Sequence, residues 1–114
     1  MTRLRELAAK GPVHFMGIGG AGMCALAELV LRSGGRVSGC DLKHSQAGQD
    51  LIKLGASIEV GHDPAHLAGS SALVMTSAVP QDHPEVTAAR AAGIQVFKRA
   101  EALGDWVAGE HVVA

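Results

Sequence analysis

Short apolar runs alternate with helical patterns along the whole chain. The runs are "VHFM" at 13 to 16, "RVSGC" at 36 to 40, "SIEV" at 57 to 60, "ALVMTS" at 72 to 77 and "QVF" at 95 to 97, and each has the length of a buried strand. Between and after them the apolar positions recur at helical spacing, over 20 to 33, 46 to 54, 82 to 92 and roughly 99 to 108. Gly34, Gly55 and Gly93 close the first three of these, each placed to end a helix in the left-handed backbone region. A shorter turn at 64 to 68 joins the third and fourth strands. Strands separated by a helix cannot pair as hairpins, so the pattern predicts a parallel sheet with right-handed crossovers. The expected fold is α/β: a Rossmann-like, doubly wound parallel sheet of about five strands in a three-layer sandwich.

Composition narrows this only a little. The 114 residues suit one domain, and a 47% hydrophobic fraction with 3% aromatic residues describes a core of Val, Leu, Ile and Ala. Ten basic against eleven acidic residues leave a net charge of −1, so no basic footprint for nucleic acid or anionic lipid exists and neither partner is expected. The opening "MTRLRELAAKG" lacks the apolar region of a secretory signal, and no stretch has the length of a membrane span. Cytoplasmic residence is the expectation, with Cys24 and Cys40 reduced, buried and structural.

In an open parallel sheet the ligand lies beyond the carboxyl ends of the strands. The first such end carries Gly17-x-Gly19-x-x-Gly22, a turn of small residues that lets the backbone approach a diphosphate and meet its charge with free N–H groups and a helix N-terminus. The same loop serves a dinucleotide, another phosphate-bearing ligand, or no ligand at all. Asp41 stands roughly 20 residues further on at the end of the second strand, where a carboxylate accepts hydrogen bonds from ribose hydroxyls. That position suits NAD and other nucleosides alike. His62 at the mouth of the third strand is placed to face a ligand. His62, Asp63 and His66 imitate a metal site, but Pro64 breaks their helical register and no third ligand cluster follows, so no metal is expected. The chain has no G-x-x-x-x-G-K-[ST] loop and no evident nucleophile and base pair, so it is expected to bind without catalysing.

Five stretches together, "HFMGIGGAGM" at 14 to 23, "VSGCD" at 37 to 41, "GH" at 61 and 62, "TSAVP" at 76 to 80 and "VFKRAEALG" at 96 to 104, resemble the N-terminal domain of the Mur ligase family. Within the family they are most similar to the branch that joins L-alanine to UDP-N-acetylmuramate. The resemblance implies a three-domain, ATP- and Mg2+-dependent enzyme that forms an amide through an acyl phosphate in peptidoglycan precursor synthesis. Its first domain holds the UDP-sugar, and this chain is then expected to bind no ATP or Mg2+ itself. It further implies that Gly17, Gly19, Gly20, Ala21, Gly22 and Met23 cradle the diphosphate, that Asp41, His62, Ser77 and Ala78 face the uridine, and that Arg99 lies on the same rim. Residues 1–110 are then the UDP-sugar-binding domain, and 111–114 begin the strand that leads into a central ATP-binding domain, followed by a C-terminal one. Two positions depart from the family pattern: Cys40 stands where serine is expected and Gly48 where threonine is common. The competing reading of the same loop and Asp41 is an NAD(P)-binding Rossmann domain of an oxidoreductase or nucleotide sensor.

Overall fold

The computed structural model describes residues 3–18, 21–41, 46–60, 69–76, 79–80 and 82–111. Their elements run α1 (Arg3–Lys10), β1 (Val13–Met16), α2 (Ala21–Arg32), β2 (Val37–Asp41), α3 (Gln46–Lys53), β3 (Ser57–Val60), β4 (Ala72–Met75), α4 (Pro84–Ala91), β5 (Gln95–Lys98) and α5 (Arg99–His111). The five strands form one sheet in the order β3-β2-β1-β4-β5, with every pairing parallel. Val13 lies opposite both Val37 and Ala72, which sets the register at the centre. The expected doubly wound sheet is therefore observed, and its strand order reverses beside β1.

Alternation along the strands divides the interior in two. Val13 and Phe15 of β1, Val37 of β2 and Ala72 and Val74 of β4 face a larger core closed by Leu4 of α1, Leu26 and Val30 of α2 and Trp106 of α5. The intervening positions, Met16, Cys40, Leu73 and Met75, face a smaller core with Val86 and Ala89 of α4. Because β1 and β4 are covered on both faces, every residue in them is buried, which is why they read as continuous apolar runs rather than as alternation. Glu59 and Val60 of β3 and Gln95 and Lys98 of β5 are exposed, as sheet edges require.

Helix α4 shows how the first three sequence-predicted helices end. Gly93 takes φ +77°, its N–H bonds the Arg90 carbonyl, and the Ile94 N–H reaches back 2.8 Å to the Ala89 carbonyl. Gly34 and Gly55 end α2 and α3 in the same way.

Two elements differ from the sequence reading. Helix α1 is not foreseen there; Leu4, Leu7 and Ala8 give it one apolar side, and it is fastened at both ends. The Leu4 N–H donates to the Asp105 carboxylate at 2.6 Å, and the Ser71 hydroxyl donates to the Leu7 carbonyl at 2.7 Å. Helix α5 runs on to His111, so Glu110 and His111, read as the start of an apolar strand-like segment, are helical backbone. The turn at 64 to 68 and the expected strand residues 112–114 lie outside the described residues.

Candidate functional site

All five strands point their carboxyl ends to one edge, and the glycine turn leaves β1 at its centre. Gly17 adopts φ +68°, a conformation open to glycine, and its N–H bonds the Cys40 carbonyl at 2.8 Å. The Ile18 N–H shares that carbonyl at 3.1 Å, so the turn is tied to the end of β2. Ile18 itself is buried and lies against Gly39, where a Cβ would come within 2.6 Å of Ile18 Cδ1. Asp41, half-buried, ends β2 one position past the Met16–Cys40 pair and so stands beside the turn.

Helix α2 starts at Ala21 with no acidic residue in its first turn, which leaves the positive end of its dipole uncancelled. Gly22 is exposed there. A Cβ on it would lie 2.8 Å from Cδ, 2.9 Å from Nε and 3.0 Å from Nη1 of Arg99, the first residue of α5. The absence of a side chain at Gly22 thus lets a guanidinium lie over the N-terminus of α2, and backbone amides and a cation converge on one spot. Such an arrangement can meet the charge of an anion such as a phosphate.

Of the residues expected to touch a ligand, Gly17, Ala21, Gly22, Asp41 and Arg99 are at this edge. Met23 is only 1% exposed and its side chain belongs to the larger core, so it can offer a ligand its backbone alone. Gly19, Gly20, His62, Ser77 and Ala78 lie outside the described residues. Of the two departures noted in the sequence, Gly48 is buried on α3 and the Cys40 thiol turns away from the edge, into the smaller core. Neither cysteine is in a disulfide, and Cys24 is only half-buried. A cleft of about 450 Å3 opens at the opposite edge, among Pro12, Arg36, Gly55 and Ser70, and among the described residues none of those expected to touch a ligand lines it.

One cluster has no counterpart in the sequence reading. His14, Cys40 and Glu85 come from β1, β2 and α4, are fully buried, and place their donor atoms within 4.8 Å of one another. The Cys40 thiol donates to Glu85 Oε1 at 3.4 Å, and His14 Nε2 lies 3.6 Å from Glu85 Oε2. His14 Nδ1 is 2.9 Å from the Ser38 hydroxyl. Burial first, then the charge of Glu85 and the hydrogen bond to it, hold the Cys40 thiol far above its ordinary range. A His within an apolar strand and a Glu just after Pro84 are the local signals, but neither names the other.

Residues 12–111 match the family model described as "Mur ligase family, catalytic domain". The chain belongs to the Mur ligase family. It is 47% identical over 104 residues to the UDP-N-acetylmuramate--L-alanine ligase of Clavibacter michiganensis, a match that takes in 91% of this chain and 22% of that protein. The solved UDP-N-acetylmuramate-alanine ligase of Thermotoga maritima superposes with a TM-score of 0.81 at 31% identity, covering 88% of this chain and 23% of that one. The chain therefore spans under a quarter of the length of these relatives. A putative oxidoreductase from Pseudomonas putida also superposes, with a TM-score of 0.57 at 22% identity over 78% of this chain and 31% of that one, and shares the fold alone. Among the described residues no helix is long and apolar enough to cross a membrane.

Proposed function

We propose that this chain is the UDP-N-acetylmuramate-binding part of a cytoplasmic ligase that adds L-alanine to that sugar nucleotide in peptidoglycan precursor synthesis. The observation that carries the reading is Arg99 lying over Gly22 at the α2 N-terminus, beside a glycine turn pinned to β2, in a chain of the Mur ligase family. The amides and guanidinium would take the diphosphate, and Asp41 at the end of β2 would accept from the uridine ribose. Gly19, Gly20, His62, Ser77 and Ala78 belong to the same proposed surface.

The whole enzyme's reaction consumes ATP with Mg2+. This chain carries no G-x-x-x-x-G-K-[ST] loop to hold ATP, so its residues do not fit that group and no step through it is assigned to them. The role left to this part is to bind and orient the sugar nucleotide, so that its lactyl carboxylate is presented to the central and C-terminal domains.

The test is a calorimetric titration of UDP, UDP-N-acetylmuramate and NADH against wild type and Arg99→Ala. Both uridine nucleotides should bind wild type and NADH should not. Loss of one charge-assisted contact, about 1.5 to 3 kcal/mol, should weaken UDP by roughly ten- to 150-fold in the variant. Binding of NADH without UDP would replace this reading with the NAD(P)-binding one.

A further inference from the structure

We propose that His14, Cys40 and Glu85 form a binding site for a thiophilic divalent cation of the zinc class, separate from the nucleotide edge. The site would be assembled by β1, β2 and α4 where they meet in the smaller core.

The donor atoms already stand near the spacing a metal needs. With zinc–sulfur distances near 2.3 Å and zinc–nitrogen or zinc–oxygen distances near 2.1 Å, the edges of a ligand tetrahedron are roughly 3.4 to 3.6 Å long. Cys40 Sγ stands 3.4 and 3.6 Å from the two Glu85 oxygens, and His14 Nε2 stands 3.6 Å from Glu85 Oε2. Two of the three edges are thus already at ligand spacing, and no donor is more than 4.8 Å from another.

The charges balance as well. A thiolate, a carboxylate and a neutral imidazole together cancel a 2+ ion, which suits a place where all three side chains are at most 1% exposed. The donor set mixes sulfur, nitrogen and oxygen, a combination that selects zinc-like ions over Mg2+ or Ca2+.

The histidine ring is also held in a suitable orientation. His14 Nδ1 is engaged with the Ser38 hydroxyl at 2.9 Å, which leaves Nε2 directed at Glu85, and such an outer partner is what metal-binding histidines use to fix the ring. Among the described residues, His14, Ser38 and Glu59 also line the cleft of about 450 Å3, so an approach from solvent reaches the edge of the cluster. Binding would exchange the thiol proton for the metal ion: Cys40 gives up its proton to solvent, the sulfur lone pair goes to the cation, and no electron changes hands.

Cobalt(II) is the probe, because it takes zinc sites and reports a thiolate ligand through a sulfur-to-metal charge-transfer band in the near ultraviolet. The whole 114-residue chain, stripped of metal with a chelator, is titrated with cobalt sulfate under argon. The expected result is a band that saturates at one equivalent, collapses on addition of Zn2+, persists in Cys24→Ser and is lost in Cys40→Ser. Ser38→Ala should keep the band but weaken cobalt binding by about 10- to 100-fold. No band in wild type, or a band that survives in Cys40→Ser, overturns the proposal. The wild-type titration decides this even where a variant fails to fold, and its failure leaves the UDP titration untouched.

Discussion

Gly22 and Gly39 are both crowded glycines, yet what crowds them differs. Around Gly39 a Cβ would meet Ile18 Cδ1 at 2.6 Å, Ile18 Cβ at 2.9 Å and the Phe15 carbonyl oxygen at 3.0 Å, so a buried side chain, held at its Cβ, and a backbone carbonyl stand in the way. Around Gly22 it would meet only the stem and head of Arg99, which can swing aside. Gly39→Ala should therefore cost about 1 to 3 kcal/mol in urea unfolding, the usual range for an overpacked core. Gly22→Ala should keep the wild-type stability and lose UDP affinity, because it moves the guanidinium off the helix end. Equal loss of stability in the two variants would make Gly22 a packing glycine and leave Arg99 without a role at the helix end. In the sequence Gly22 belongs to the glycine turn and Gly39 to the strand run "RVSGC", and neither pattern shows what lies against the missing side chain. What separates them is the side chain that arrives from a distant part of the chain.

At the scale of elements, α1 was the part least visible in advance. Eight residues are too few for a helix to be stable by propensity, so its existence depends on what it packs against. Leu4 is fully buried between α1 and the core, and its N–H is capped by Asp105 of α5. Leu4→Ala should cost about 2 to 5 kcal/mol, and Asp105→Ala about 1 kcal/mol through loss of the cap. Thermal unfolding of the two variants checks both, and an unchanged midpoint in Leu4→Ala would mean that α1 is not docked in solution. Helices α2, α3 and α4 were legible because each ends on a glycine whose positive φ no other residue adopts as easily, a signal that is local. Strand boundaries followed to within a residue, apart from β4, which stops at Met75 before the Val79 N–H bonds the Thr76 carbonyl.

For the molecule as a whole, the buried cluster predicts a pH dependence in the metal-free protein. The folded state holds the Cys40 proton more tightly than the unfolded chain, whose thiol titrates near its ordinary value of 9.0. The stabilisation is therefore fully present below that pH and is lost above it, at up to about 1.4 kcal/mol per pH unit. The chain has no tyrosine to titrate in the same range. Denaturant unfolding at about pH 8 and about pH 10 should show wild type losing stability that Cys40→Ser retains; parallel losses would show that the cluster does not hold the proton.

Taken alone, the order of residues determined the succession of strands and helices, the helix-ending glycines, the parallel sheet and the resemblance to the Mur ligases, since each rests on spacing between near neighbours. It also marked Gly17, Gly22 and Asp41 as strand-end residues, because ligand sites in such sheets follow from strand direction, while the family resemblance placed Arg99 on the same rim. Only the tertiary structure decided that Arg99 lies on Gly22, that the Met23 side chain is core, and that His14, Cys40 and Glu85 meet. Those contacts depend on the strand order β3-β2-β1-β4-β5 and on which face each crossover covers. Both are settled by burying apolar surface across the whole sheet, a constraint that no local pattern contains.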